Sequence, residues 1–307
     1  MIPTPPAIDV RGLGKSFGHS VVLDGLDLTV PRGEIFALLG ANGAGKTTTI
    51  SILTTLQRPD RGSAAVAGFD VAAAPDAVRQ RIALTGQSAA VDDTLTGTEN
   101  LVMLGRLSGL SPRRARARAA ELLERFALRD AATRRVGTYS GGMRRRLDLA
   151  LSFVVVPEVL FLDEPTTGVD PRSRRDLWEV IRSLSDAGTT VFLTTQYLEE
   201  ADQLADRVAV LDGGRIVATG TPAELKSLVG SDTVVLTGAD GAVVREIATD
   251  GSVAGLRAAI AELGADEVPD AEVTLRRPTL DDVFLSLTGS PDAAAPAPAL
   301  DTAKELA

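Results

Sequence analysis

The chain has 307 residues, 44% of them hydrophobic and 24% charged, with no cysteine and a net charge of −9, which is enough for one large domain plus a smaller one, each with its own core. The lack of cysteine excludes disulfides and thiol chemistry, and the acidic balance argues against a general nucleic-acid binder, whose affinity rests on clustered Lys and Arg. No stretch approaches the ~18 uninterrupted apolar residues of a membrane-spanning helix, and Met1 to Ile8 has no basic residue followed by an apolar core, so the expectation is a cytoplasmic chain without span or secretory signal.

In chain order, the first informative segment is Phe36-Ala37-Leu38-Leu39, which reads as a buried strand, followed by a helix from Thr47 to Leu56. Between them Gly40-Ala41-Asn42-Gly43-Ala44-Gly45-Lys46-Thr47 fits G-x-x-x-x-G-K-[ST] at every fixed position, in the strand, loop and helix setting that this motif requires. The glycines let backbone N–H groups converge on phosphates, and the helix N-terminus adds its dipole. Lys46 can then reach the β and γ groups of a nucleoside triphosphate, and Thr47 can hold Mg²⁺. The plain alternative is a glycine turn that opens a helix.

Ala89 to Val156 reads as predominantly helical. Ser111-Pro112 opens a helix with Arg113, Arg114, Arg116 and Arg118 ahead of an apolar stripe of Leu122, Leu123 and Phe126. Such an arginine cluster can touch lipid headgroups or nucleic acid, but it is more commonly a solvated helix face. A further helix opens at Tyr139-Ser140-Gly141-Gly142-Met143 and runs through Leu149, Ala150 and Phe153. Ser140, Gly141 and Gly142 form a helix N-terminus with free N–H groups, suited to an anion, and Ser140 is a natural N-cap.

The most apolar stretch, Phe153 to Leu162, is broken by Pro157-Glu158 and so reads as a helix end followed by a strand. That strand ends in Asp163-Glu164, and ligand groups in open α/β sheets sit at the carboxyl ends of strands. Asp163 can hold Mg²⁺ through water while Glu164 orients or deprotonates a water that attacks the γ-phosphate. Asp170-Pro171 can start the helix through Trp178 and Ile181, and Val191 to Thr195 is a strand ending in Gln196. Beyond Gly230 the pattern restarts with a strand at Thr233 to Leu236, a helix at Val253 to Leu263 and a strand near Glu272 to Leu275. Leu280, Val283, Phe284 and Leu287 then lie at helical spacing, and Ser290 to Ala307, rich in Ala and Pro, reads as a disordered end.

These motifs occur in the order found in the ATP-binding subunits of ATP-binding-cassette (ABC) transporters, which the chain resembles from about Ile8 to Leu228. The closing segment Arg277 to Leu287, with Tyr139, Met143 and Gln196, resembles the drug-export branch of the daunorubicin-resistance type. The resemblance implies an α/β P-loop fold of the ABC type in three parts. These are a nucleotide-binding domain over residues 1–229 with a helical subdomain at about 89–156, a small α/β appendage at 230–289, and the tail at 290–307. It also implies ATP and Mg²⁺ as ligands, a homodimer, a separate transmembrane permease and a peripheral place on the cytoplasmic face of the cell membrane, with no nucleic-acid partner.

By the same resemblance, Phe17 stacks on adenine, although an isolated Phe near a strand end is more often core. Gly40 to Thr47 and Thr48 hold the phosphates, and Gln87 contacts Mg²⁺ and the attacking water. Ser140, Gly141 and Gly142 meet the γ-phosphate of ATP bound to the opposite subunit, and Asp170 crosses the dimer interface. One departure stands out: where the family usually has a histidine that contacts the γ-phosphate, this chain has Gln196, and its single histidine, His19, lies elsewhere. Glutamine can donate a hydrogen bond there but cannot become cationic. The nucleotide chemistry alone also fits an importer motor or a soluble cassette ATPase acting on ribosomes or DNA. The latter usually carries two cassettes or a long coiled coil, and neither is present.

Overall fold

The structure is a computed structural model, and it describes residues 5–86, 91–239, 241–263 and 272–288. The chain divides into two compact units, Met1–Leu225 and Lys226–Ala307. In chain order the larger unit holds β1 (Ile8–Phe17), β2 (Ser20–Val30), β3 (Ile35–Leu39), α1 (Lys46–Leu53), β4 (Arg61–Val66), β5 (Phe69–Asp70), α2 (Pro75–Arg79) and β6 (Ile82–Thr85). It continues with α3 (Gly97–Leu107), α4 (Pro112–Arg125), α5 (Gly141–Ser152), β7 (Val159–Asp163), α6 (Pro171–Asp186), β8 (Thr190–Thr195), α7 (Leu198–Leu204), β9 (Arg207–Asp212) and β10 (Arg215–Gly220). A short α8 (Pro222–Ser227) follows.

The six-stranded sheet has the order β10-β9-β3-β8-β7-β6, with all neighbours parallel except the β10–β9 pair. Every residue of β3, β7 and β8 is buried, which is why these strands read as continuous apolar runs: a parallel sheet is covered on both faces. Phe192 packs against both Phe36 and Phe161 at 5.6 Å between ring centroids, locking the three central strands together. The register pairs Leu39 with Thr195 and Asp163 with Thr194. The carboxyl ends of β3, β7 and β8 therefore lie along one edge, and the loops that leave them share it.

A second sheet, β2-β1-β4-β5, is antiparallel. Its inward residues Ile8, Val10, Leu26 and Leu28 join Ile50, Ile52 and Leu53 of α1 and Phe36 and Leu38 of β3 in one continuous core, so α1 is anchored to both sheets. A rigid α1 holds the loop before it. The helical segment packs α3 on α4 and α5. Its helices start at strong caps: the Thr96 side chain and Glu99 form a reciprocal capping box, and the Ser111 hydroxyl accepts from the Arg114 N–H.

The smaller unit has the antiparallel sheet β12-β11-β13, made of β11 (Asp232–Thr237), β12 (Val243–Thr249) and β13 (Glu272–Arg276). Helix α9 (Val253–Leu263) lays Ala259 and Leu263 on Val234 and Leu236 to make its core. The last helix, α10 (Leu280–Leu287), begins at a capping box between Thr279 and Asp282.

Candidate nucleotide site

The loop between β3 and α1 bends through Gly43 (φ 83°) and Gly45 (φ 111°), left-handed conformations that favour glycine. At Gly45 a side chain is excluded a second time, because a Cβ would lie 2.7 Å from Leu23 Cδ2. Gly45 is the N-cap of α1 and offers no side-chain cap, so the first N–H groups of the helix stay free for a ligand. Lys46 is buried at the first position of α1, and its Nζ donates to the carbonyls of Gly40 (2.7 Å) and Ala41 (3.1 Å). The same ammonium lies 3.7 Å from Glu164 Oε1. Burial pushes the Lys46 pKa below its ordinary value, while the charges of Glu164 and Asp163 oppose that shift.

The two acids divide along the end of β7. Asp163 is buried and held from both sides: the Thr194 hydroxyl donates to its Oδ1 at 2.6 Å and the Thr47 hydroxyl to its Oδ2 at 3.3 Å. Glu164 sits at φ 48°, a conformation uncommon outside glycine and one that costs energy. Its N–H donates to the Thr194 carbonyl at 3.1 Å, and the Thr167 hydroxyl donates to its Oε2 at 3.3 Å. That left-handed residue turns the chain off the strand and brings the carboxylate over Lys46.

A cavity of about 540 Å³ is lined by Phe17, Val22, Asn42, Gly43, Gly45, Lys46, Thr47, Thr48, Glu164 and Gln196. One space thus gathers residues from five separate segments. Phe17 stands at its rim, 48% exposed, with the Lys15 ammonium 5.6 Å from the ring centroid; it is not a core residue. Ser140, Gly141, Gly142 and Asp170 do not line this space. Ser140 caps α5, its hydroxyl accepting from the Met143 N–H, and Gly141 instead borders a second cavity of about 300 Å³ with Arg144, Arg145, Glu164, Pro165, Thr167, Gly168 and Val169. Gly142 is where α5 meets α6, since a Cβ there would lie 2.6 Å from Ser173 Cβ. Asp170 caps α6 by accepting from the Ser173 N–H at 3.0 Å, and that bonding holds its carboxyl below the usual range. Gln87 lies outside the described residues.

Sequence reasoning missed three contributors. Thr194, which grips Asp163, has a legible signal: a Thr-Thr pair closing the strand after the apolar run Val191-Phe192-Leu193. Val22 reaches the cavity from β2, and Arg145 reaches the neighbouring one from α5, through long-range folding that no local pattern announces.

The parallel sheet, the glycine loop that opens α1 and the Asp-Glu pair at the end of β7 define a P-loop nucleoside triphosphatase fold. Residues 23–167 match the family described as ABC transporter. The chain is 53% identical to the daunorubicin/doxorubicin resistance ATP-binding protein DrrA of Streptomyces peucetius, over 93% of this chain and 93% of that protein. It is 34% identical to the linearmycin resistance ATP-binding protein LnrL of Bacillus subtilis, over 92% of this chain and 98% of that one. A solved structure of the ATP binding subunit of an ABC transporter superposes with a TM-score of 0.64 at 29% identity, covering 72% of this chain and 92% of the other. The chain belongs to the ABC transporter family, as one of its ATP-binding subunits.

Proposed function

We propose that this protein is the ATP-hydrolysing motor of an export system for a drug or antibiotic, acting as a homodimer on a separate transmembrane permease at the cytoplasmic face of the membrane. The observation that carries the reading is the single cavity in which Lys46, Thr47, Glu164 and Gln196 meet. The names of DrrA and LnrL, both resistance ATP-binding proteins, support the drug or antibiotic. Among the described residues no helix is long and apolar enough to cross a membrane, which fits a permease on another chain.

Each residue has a stated task. Phe17 stacks on adenine, the N–H groups of Gly40 to Thr48 bind phosphate oxygens, and Lys46 leaves its carbonyl partners for the β and γ phosphates. Glu164 takes the proton of a water as its oxygen bonds to the γ-phosphorus and the bond to the β-phosphate oxygen breaks, leaving ADP and phosphate. Gln196 donates its amide N–H to a γ-phosphate oxygen. Thr47 and Asp163, a hydroxyl and a carboxylate 3.3 Å apart, are hard oxygen donors that fit Mg²⁺. With Gln87 they would hold the ion, which would supply positive charge against the phosphates. Ser140, Gly141, Gly142 and Asp170, which do not line the nucleotide cavity of their own chain, complete the site of the opposite subunit, so ATP favours the closed pair.

Replacing Glu164 by Gln tests this reading. The amide keeps the shape but cannot act as base, so ATP affinity is retained, turnover is lost and the dimer accumulates on gel filtration with ATP and Mg²⁺. Normal hydrolysis, or a variant that stays monomeric at high concentration, contradicts the proposal.

A further inference from the structure

Arg145 projects from α5 into the protein, its side chain only 11% exposed. Its Nε donates to the Pro165 carbonyl at 2.9 Å, and its Nη1 donates to the Gly86 carbonyl at 2.9 Å and to Asp148 Oδ2 at 3.1 Å. One guanidinium therefore joins three segments: the helix that begins at Ser140, the residue just beyond β6, and the residue bonded directly to Glu164. Stability alone is a poor account of this arrangement, because a buried ion pair is commonly no more stable than apolar residues of the same volume. What the fork does supply is geometry. It is planar and fixed, so its two carbonyl partners cannot shift independently of α5.

The Pro165 carbonyl is a sensitive place for such a constraint. Glu164 holds the uncommon φ of 48° with its carboxylate 3.7 Å from the Lys46 ammonium, and the proline that follows it has its own φ locked by the ring, so a shift of the Pro165 carbonyl is passed back to the Glu164 backbone. Arg145, Glu164 and Gly141, the first residue of α5, also line the same second cavity. We propose that Arg145 is a positioning residue for ATP hydrolysis, fixing the Pro165 carbonyl and so the Glu164 carboxylate in a geometry set by the position of α5. The helix that begins with Ser140, Gly141 and Gly142 is thereby linked to the general base of its own chain. This inference rests on the ATPase reading given above. It assigns Arg145 no contact with ATP, so loss of the side chain acts on the chemical step and not on nucleotide affinity.

The test uses the full-length chain with Mg²⁺ and ATP, measuring kcat and KM together with the affinity for a fluorescent ATP analogue. For Arg145→Met the expected result is a loss of about 10²-fold in kcat, the effect of a roughly 1 Å misplacement, with KM and affinity within about twofold of the parent. Arg145→Lys keeps the charge but not the fork, and it is expected to lose about tenfold in kcat at unchanged affinity. The single tryptophan of the chain, Trp178, is buried on α6, so its emission reports whether each variant is natively folded. Should Met fail to fold, Lys carries the test alone. The role is overturned by a folded variant whose kcat stays within twofold of the parent, or by a kcat that falls only in proportion to the fraction of chain able to bind ATP. A parent chain that does not hydrolyse ATP overturns the function itself, and this role with it.

Discussion

Gln196 stands where the resemblance leads one to expect a histidine, and its position in the nucleotide cavity makes that difference testable. A glutamine at the end of β8 brings an amide donor but no proton that titrates near neutrality. If the amide only positions the γ-phosphate, Gln196→Ala loses about 10²-fold in turnover, comparable to the removal of one preorganised donor, while ATP binding changes far less. Gln196→His retains or raises activity, because imidazole donates from the same region and can also become charged. A neutral alanine variant in a steady-state assay would mean that Lys46 and the opposite Ser140, Gly141 and Gly142 hold the γ-phosphate without it. The same scale explains why the two adjacent acids are not interchangeable. Asp163 is gripped by Thr47 and Thr194, whereas Glu164 hangs from a strained backbone above Lys46.

Between elements, a buried carboxylate ties α7 to α6. Glu200 is fully buried on α7, and the Trp178 indole N–H of α6 donates to its Oε1 at 3.2 Å. Burial raises the Glu200 pKa above the ordinary glutamate value, with Thr195, Trp178, Thr166 and Arg174 opposing. A carboxyl raised by folding contributes its stability fully below the ordinary glutamate pKa and loses it as pH climbs through the folded value. Glu200→Gln cannot ionise, so its stability relative to the parent improves as pH rises from the ordinary glutamate range towards neutrality. Urea midpoints for both proteins across that range check this; a difference that does not change with pH contradicts it. Elements of this kind were unevenly legible in the sequence. The glycine loop, β7 and the helices after Ser111 and Ser140 announce themselves because local caps and unbroken apolar runs specify them. The hairpin of β1 and β2 does not, because Gly12, Gly14 and three register shifts interrupt its alternation. Nor does β12, whose residues are mostly exposed and include both Arg245 and Glu246. The arginine cluster of α4 is a mixed case. Arg113, Arg114 and Arg116 are solvated, but Arg118 turns inward to donate to the Phe153 carbonyl at 2.7 Å, a partner too distant in sequence to be read. Arg145 was hidden for the same reason.

At the scale of the whole molecule, all the described site residues belong to the unit Met1–Leu225, and none to Lys226–Ala307. The smaller unit has its own apolar cluster around Val234, Leu236, Ala259 and Leu263, so it has means of its own to stay folded. Its final helix buries Leu280 and Val283, half-buries Phe284 and Leu287 and leaves Leu285 exposed, the amphipathic stripe that the spacing gives. The residues from Ser290 to Ala307 lie outside the described ones. Truncation before Arg277 removes α10 while touching nothing in the nucleotide cavity, and so it separates chemistry from export. The truncated chain keeps its ATP affinity, and at ATP one hundredfold above Kd the larger unit gains about 2.7 kcal/mol of stability, as it does in the parent. Drug efflux, or the stability of the complex with the permease, falls instead, because the apolar face of α10 no longer braces its surroundings. Two measurements on the same variant decide the matter: its ATP-dependent rise in melting temperature, and efflux in cells that carry it with its permease. Normal efflux would leave α10 without a mechanical part in export, and a lost ATP response would show that nucleotide binding depends on residues well beyond the larger unit.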